Sequence, residues 1–173
     1  MKWELKSNII LIGYMGAGKS TIGKRLAAIR EYDFIDTDQW IVEKENKTIP
    51  SIFAEKGEEY FRQLETECIR WLCEQDKGKI IAAGGGLPLR EENRRLLKQL
   101  GMVVYLKGLP ETIYERVKGD TNRPLLQTEN PRERIRIMME EREPFYTKAA
   151  DLILTIEGKS VEQLISRIPM VIF

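Results

Sequence analysis

The residues from Gly13 to Ser20, Gly13-Tyr14-Met15-Gly16-Ala17-Gly18-Lys19-Ser20, have the spacing G-x-x-x-x-G-K-[ST]. Glycines at 13, 16 and 18 allow successive backbone N–H groups to turn inward around a phosphate group. Lys19 can then bridge phosphate oxygens, and the Ser20 hydroxyl can ligate Mg2+ directly. The segment follows an apolar run at 8–12 and opens an amphipathic stretch, so a helix N-terminus would add its positive dipole end. A plain strand–helix turn would not require three glycines and Lys-Ser together in this context. The chemistry expected is capture of a nucleoside triphosphate.

A metal-bound triphosphate needs a carboxylate nearby, and the usual source is an aspartate ending a later apolar strand. The run Lys79-Ile80-Ile81-Ala82 instead leads into Ala83-Gly84-Gly85-Gly86, which carries no acid. Asp36-Thr37-Asp38, placed where a second strand ends, is the remaining candidate. Residues two apart on a strand point the same way, so one carboxylate could hold Mg2+ water and the other could receive the hydrogen of an attacking hydroxyl. Capping of the next helix by Thr37 or Asp38 is the competing reading.

Further along, Phe61-Arg62-Gln63-Leu64-Glu65 sits in a stretch whose apolar positions 61, 64, 68 and 72 follow a helical period. Arg62 and Glu65 share a face, and a guanidinium steadied by a glutamate is suited to gripping a ligand carboxylate. A surface ion pair of little consequence is equally compatible with that segment alone. Gly84-Gly85-Gly86 offers backbone N–H donors and close approach to a ligand. Arg142 points inward with Ile135, Met138 and Met139 on a helical face, and Arg123 lies in a polar stretch at 118–130 suited to a lid. Arginines held inward need anionic partners, so this set favours a triphosphate together with an anionic co-substrate.

The elements that must position these residues alternate short apolar runs with amphipathic stretches, the mark of a mainly parallel sheet with helices on its faces. Strands are expected at Asn8–Ile12, Asp33–Ile35, Lys79–Ala82, Met102–Leu106 and Leu152–Thr155. Helices are expected at Lys19–Arg30, Thr37–Lys44, Ser51–Lys56, Glu58–Gln75, Glu91–Leu100, Pro110–Val117, Pro131–Lys148 and Val161–Ile168. Pro110, Asn130-Pro131 and Ser160 supply start signals. At 173 residues the chain is the size of one domain, and no repeat or linker divides it.

Lys and Arg number 28 against 27 Asp and Glu, so no overall field recruits nucleic acid or an anionic membrane. Two cysteines, Cys68 and Cys73, would lie roughly 8–9 Å apart on a helix, too far for an unstrained disulfide. Reduced thiols and the lack of a long apolar segment lead to the expectation of a cytoplasmic protein. The chain has no histidine, so proton handling falls to carboxylates, lysine, tyrosine or water.

Taken together, Gly13–Ser20, Asp36-Thr37-Asp38, Ser51-Ile52-Phe53 with Gly57-Glu58, Phe61-Arg62-x-x-Glu65, Gly84–Gly86, Arg123-Pro124-Leu125-Leu126 and Arg142-x-Pro144-x-Tyr146 resemble the shikimate kinase family in order and spacing over almost the whole chain. The resemblance implies ATP-dependent phosphorylation of the 3-hydroxyl of shikimate in chorismate and aromatic amino-acid synthesis. It implies a three-layer α/β/α P-loop kinase fold of the nucleoside monophosphate kinase type. That fold is one domain over 1–173, with a five-stranded parallel sheet, a helical substrate-binding region at about 37–75 and a mobile lid at about 118–130. ATP would be held by Gly16, Ala17, Gly18, Lys19, Ser20 and Thr21 with Arg116, which would stack on adenine, and with Arg123 from the lid. Lys19, Asp38 and Arg123 would be catalytic. Shikimate would be held by Asp38, Arg62, Glu65, Gly84, Gly85, Gly86 and Arg142, with Mg2+ on Ser20 directly and on Asp36 through water. A monomer acting on shikimate, without nucleic acid or membrane, is expected. A proline that the family often places against adenine is replaced here by Ser160-Val161, and Tyr14 stands where phenylalanine is commoner. The alternative is another P-loop kinase of small metabolites, such as a gluconate kinase, which would not require the Phe61-Arg62-x-x-Glu65 and triple-glycine combination.

Overall fold

The computed structural model describes residues 7–121 and 126–169. Its strands are β1 (Asn8–Ile12), β2 (Asp33–Asp36), β3 (Lys79–Ala82), β4 (Gly101–Lys107) and β5 (Leu152–Thr155). Its helices are α1 (Lys19–Arg30), α2 (Thr37–Glu45), α3 (Ile49–Lys56), α4 (Glu58–Cys73), α5 (Glu91–Leu100), α6 (Pro110–Val117), α7 (Pro131–Ala149) and α8 (Val161–Ser166), with a 3-10 turn at Leu87–Leu89. All strand pairings are parallel in the order β2-β3-β1-β4-β5. The molecule is a three-layer α/β/α fold: α1 packs with α8 against one side of the sheet, and α5 and α7 pack together against the other.

β1 lies at the centre, which explains its composition. Ile9, Ile10, Leu11 and Ile12 are fully buried, as an unbroken apolar run must be when both faces of a parallel strand are covered. Asn8 fixes the register at the strand's start. Its amide donates to Leu100 O at 3.1 Å and accepts from Gly78 N and Lys79 N at 3.0 Å each, tying β1 to the starts of both neighbours. The strand order reverses direction at β1, and the carboxyl ends there form the crevice where such sheets bind ligands.

The expected elements all form, some with the expected bounds and others with shifted ends. α3 starts two residues early, at Ile49, because Thr48 accepts from Ser51 N and Pro50 occupies the first turn. α4 and α8 stop short because their last turns tighten to i→i−3 bonds, as in Arg167 N to Leu164 O at 3.1 Å and Ile168 N to Ile165 O at 3.0 Å. In α8 the following Pro169 also disfavours helical backbone at the residue before it. Asn130 and Ser160 cap their helices, Ser160 in a reciprocal box with Gln163. Cys68 is buried and Cys73 exposed, and both are free. Ile41, Ile52, Phe61 and Leu64 from α2, α3 and α4 form a small core of their own, apart from the main one. No helix among the described residues is long and apolar enough to cross a membrane.

Candidate active site

The Gly13–Ser20 loop leaves the carboxyl end of β1 and enters α1. Gly16 has a φ of 75°, and a Cβ there would lie 2.7 Å from Val117 Cγ1, so neither the backbone nor the space admits a side chain. Gly18, at a φ of 101°, is the residue that turns the chain into the helix. Lys19 Nζ folds back onto the loop, donating to Gly13 O at 2.6 Å and Tyr14 O at 3.1 Å. Arg116 of α6 donates to Gly16 O at 3.0 Å and so braces the loop from outside. Ala17 is buried, and its N–H is spent on Tyr14 O at 3.2 Å, whereas Gly16, Gly18, Lys19, Ser20 and Thr21 line the cleft.

Asp36 ends β2 and is itself the cap of α2, accepting from Asp38 N at 2.9 Å and Gln39 N at 3.2 Å through one oxygen. Its other oxygen accepts from the Ser20 hydroxyl at 3.3 Å. Asp36 and Asp38 do line one cleft, but strand alternation is not the reason. Asp38 belongs to the first turn of α2, and the strand-to-helix bend directs both carboxylates to the same side. Neither Thr37 nor Asp38 is the cap. Buried Thr37 instead accepts from Gly84 N at 2.9 Å and pins the glycine loop from across the sheet edge.

Arg62 and Glu65 form an ion pair, and both line the same cleft. Arg62 Nη1 donates to Glu65 Oε1 at 2.7 Å and Nη2 to Glu58 Oε1 at 3.3 Å, with the guanidinium largely shielded from solvent. Burial disfavours the Arg62 charge, yet the charges and hydrogen bonds of Glu65 and Glu58 outweigh it and hold the group above its ordinary range. Glu65 is fully buried, and its Oε2 has no hydrogen-bond partner among the described residues. Desolvation therefore pushes its carboxyl up to about 7, against the pull of Arg62.

The three glycines have a reason that the sequence did not disclose. A Cβ at Gly84 would lie 2.6 Å from Asp38 Oδ1 and 3.1 Å from Glu65 Oε2. One at Gly85 would lie 3.1 Å from Arg142 Nη1, and one at Gly86 would lie 2.2 Å from Arg62 Nη1. Each glycine makes room for a different functional side chain. Behind the loop, Tyr146 donates to Gly85 O at 2.7 Å, and buried Asn93 donates to Leu87 O at 2.9 Å while accepting from Thr66 at 2.7 Å. Burial raises the Tyr146 phenol to about 12, so it stays a hydrogen-bond donor.

Lys19, Ser20, Asp36, Asp38, Arg62, Glu65, Gly84, Gly85, Gly86 and Arg142 thus face one cleft of about 570 Å3. Residues of the Gly13–Ser20 loop and the guanidinium groups of Arg62 and Arg142 are all part of its lining. Arg123 lies outside the described residues, as does part of the 118–130 stretch. No trio of acidic, cysteine or histidine side chains that could hold a metal alone occurs among the described residues, so a metal at Ser20 and Asp36 would need phosphate oxygens to complete its shell.

The family model for shikimate kinase matches residues 15–172. The chain belongs to the shikimate kinase family. It is 46% identical over 162 residues to the shikimate kinase of Thioalkalivibrio sulfidiphilus, covering 94% of this chain and 85% of that protein. Among solved structures, shikimate kinase from Acinetobacter baumannii in complex with shikimate superposes with a TM-score of 0.88 at 39% identity, covering 95% of this chain and 92% of that one. A gluconokinase from Sinorhizobium meliloti reaches a TM-score of 0.55 at 15% identity, covering 94% and 89%, a likeness of fold alone. Membership of the shikimate kinase family implies ATP as co-substrate and favours that reading over the gluconate kinase alternative. Thr66, Asn93 and the supporting part of Thr37 were missed by sequence reasoning. Tyr146 carried a signal only as the end of the Arg142-x-Pro144-x-Tyr146 pattern.

Proposed function

We propose that this chain transfers the γ-phosphoryl group of ATP to the 3-hydroxyl of shikimate, through the residues that line the cleft between the Gly13–Ser20 loop and the Arg62–Arg142 pair. The observation that carries this reading is that residues of the Gly13–Ser20 loop, Arg62 and Arg142 line one continuous cleft. In the free protein Lys19 is held by loop carbonyls; an entering triphosphate replaces them, so the ammonium is already positioned. The glycine-loop amides and the α1 N-terminus then face the β-phosphate.

At the acceptor end, Arg62 takes the shikimate carboxylate in a planar, two-pronged contact, and Glu65 keeps that guanidinium from rotating away. Arg142 supplies the second positive group. Asp38, in the first turn of α2, accepts the hydrogen bond of the attacking hydroxyl. As the new O–P bond forms and the bond from the γ-phosphorus to the leaving oxygen breaks, that hydroxyl proton passes to Asp38 or to water, and ADP keeps the bonding electrons. A loose phosphoryl transfer needs positioning and charge more than a strong base, so the lack of histidine is no obstacle. The donor set at Ser20 and Asp36 fits Mg2+, with Ser20 as a direct ligand and Asp36 acting through water. The ion would neutralise phosphate charge and hold the γ-phosphoryl in line.

The separate small core of α2, α3 and α4 supports treating about 37–75 as a substrate-binding region within a single domain. Arg123 would reach the phosphates from a lid at about 118–130, and Arg116 would leave Gly16 O to stack on adenine. The site is assembled from one chain, in keeping with a monomer, and a cytoplasmic location suits its co-substrates. ADP release should be followed with shikimate and with gluconate as acceptors at equal concentration. Turnover confined to shikimate is expected; turnover on gluconate alone would overturn the assignment.

A further inference from the structure

Tyr14 of the phosphate loop packs against Arg142 and Met138 of α7. It is 2% exposed, buried under α7. Its ring lies beneath the Arg142 guanidinium, 5.5 Å from ring centroid to Cζ, within the range of a cation–π contact. Its hydroxyl donates to Met138 Sδ at 3.5 Å. Met138 and Arg142 are four apart on α7 and share a face, so Tyr14 seats two successive turns of that helix. The backbone of the same residue serves the donor end: Tyr14 O accepts from Lys19 Nζ at 3.1 Å and from Ala17 N at 3.2 Å. One residue therefore touches the lysine proposed for ATP and the arginine proposed for the shikimate carboxylate.

We propose that Tyr14 is a positioning residue that sets the Arg142 guanidinium for an anionic acceptor and couples its placement to occupancy of the phosphate loop. When a triphosphate draws Lys19 off the Tyr14 carbonyl, that peptide loses one of its two hydrogen bonds, and its readjustment is carried to the ring beneath Arg142. Filling the donor end then tightens the acceptor end, and by thermodynamic reciprocity the acceptor tightens the donor. The ring does this through its face, so the aromatic plane matters more than the hydroxyl. This inference rests on the reading of Arg142 as a carboxylate-binding group in the acceptor site.

The test compares Tyr14→Phe and Tyr14→Leu in the full-length protein. Shikimate affinity is measured by calorimetry with and without Mg2+ and a non-hydrolysable ATP analogue, and both KM values are measured in turnover. Loss of a shielded cation–π contact should raise the shikimate KM of Tyr14→Leu about 5- to 10-fold, with the ATP KM changed less than about twofold. The gain in shikimate affinity on adding the analogue should shrink towards one in Tyr14→Leu and persist in Tyr14→Phe. A Tyr14→Leu protein with the wild-type shikimate KM overturns the inference, as does a wild-type protein with no gain from the analogue. Equal weakening of both substrates would likewise reduce Tyr14 to a packing residue. Should the leucine variant fail to fold, Tyr14→Met, which fills the same space without a ring, carries the same comparison. Absence of shikimate turnover in the wild type would instead refute the underlying functional reading, so the two failures are separable.

Discussion

Replacing Glu65 by glutamine should change how stability depends on pH. In the folded protein burial pushes the Glu65 carboxyl up to about 7, whereas an unfolded chain has it near the ordinary glutamate value of 4.5. Between these values the folded state binds the proton and the unfolded state does not, so stability falls as pH rises through this window and is flat above it. The difference of about 2.5 pKa units corresponds to about 3 kcal/mol across the full window, at about 1.4 kcal/mol per unit. Glutamine cannot ionise and has no such loss. Urea denaturation of both proteins from pH 4.5 to 8 gives the result directly. The two should have similar stability at the acid end, and the wild type should fall behind Glu65→Gln by about 3 kcal/mol above pH 7. In thermal melts this is roughly 6–12 °C for a chain of this size. The variant should at the same time bind shikimate less well, because a neutral amide steadies Arg62 less than a carboxylate does. Parallel stability curves would refute the claim that Glu65 is buried with one oxygen unpaired.

Gly86→Ala places a methyl group 2.2 Å from Arg62 Nη1, so the guanidinium must leave Glu65; the shikimate KM should rise about tenfold or more while the ATP KM and the fold hold. Arg62→Lys removes the planar two-pronged contact and should weaken shikimate binding by at least about tenfold, measured by calorimetry, with nucleotide binding near normal. Asp36→Asn retains a good helix cap for α2 but loses the charge. Its melting temperature should stay within a few degrees of the wild type, while turnover falls and recovers in part as Mg2+ is raised; a Mg2+ dependence identical to wild type would remove Asp36 from the metal role.

Much of this site was legible because its signals are local. The Gly13–Ser20 loop declares itself through residue types within eight positions, and Arg62 with Glu65 through a helical spacing of three. The caps at Asn130 and Ser160 are likewise written in neighbouring residues. What stayed hidden depends on contacts that the chain makes across the fold. Thr37 meets Gly84 across 47 residues, and Thr66 meets Asn93 across 27; neither pairing has a sequence signature. The glycine run suggested ligand approach, but its tight fit against Asp38, Arg62 and Arg142 appears only once α2, α4 and α7 converge on the loop. Asp36 and Asp38 were paired correctly for an incorrect reason, because the helix begins one residue after β2 ends and strand alternation no longer applies. Nor could Glu65 show in sequence that it is sealed from water, since an exposed partner three residues from Arg62 reads the same.

The central claim is that the loop and the guanidinium pair serve one reaction, and 31P NMR of the protein with ATP, Mg2+ and shikimate tests it most directly. The account predicts loss of the γ-phosphate signal of ATP and growth of one phosphomonoester resonance, split by the single ring proton at carbon 3. Release of inorganic phosphate alone, or a spectrum unchanged by adding shikimate, would contradict it.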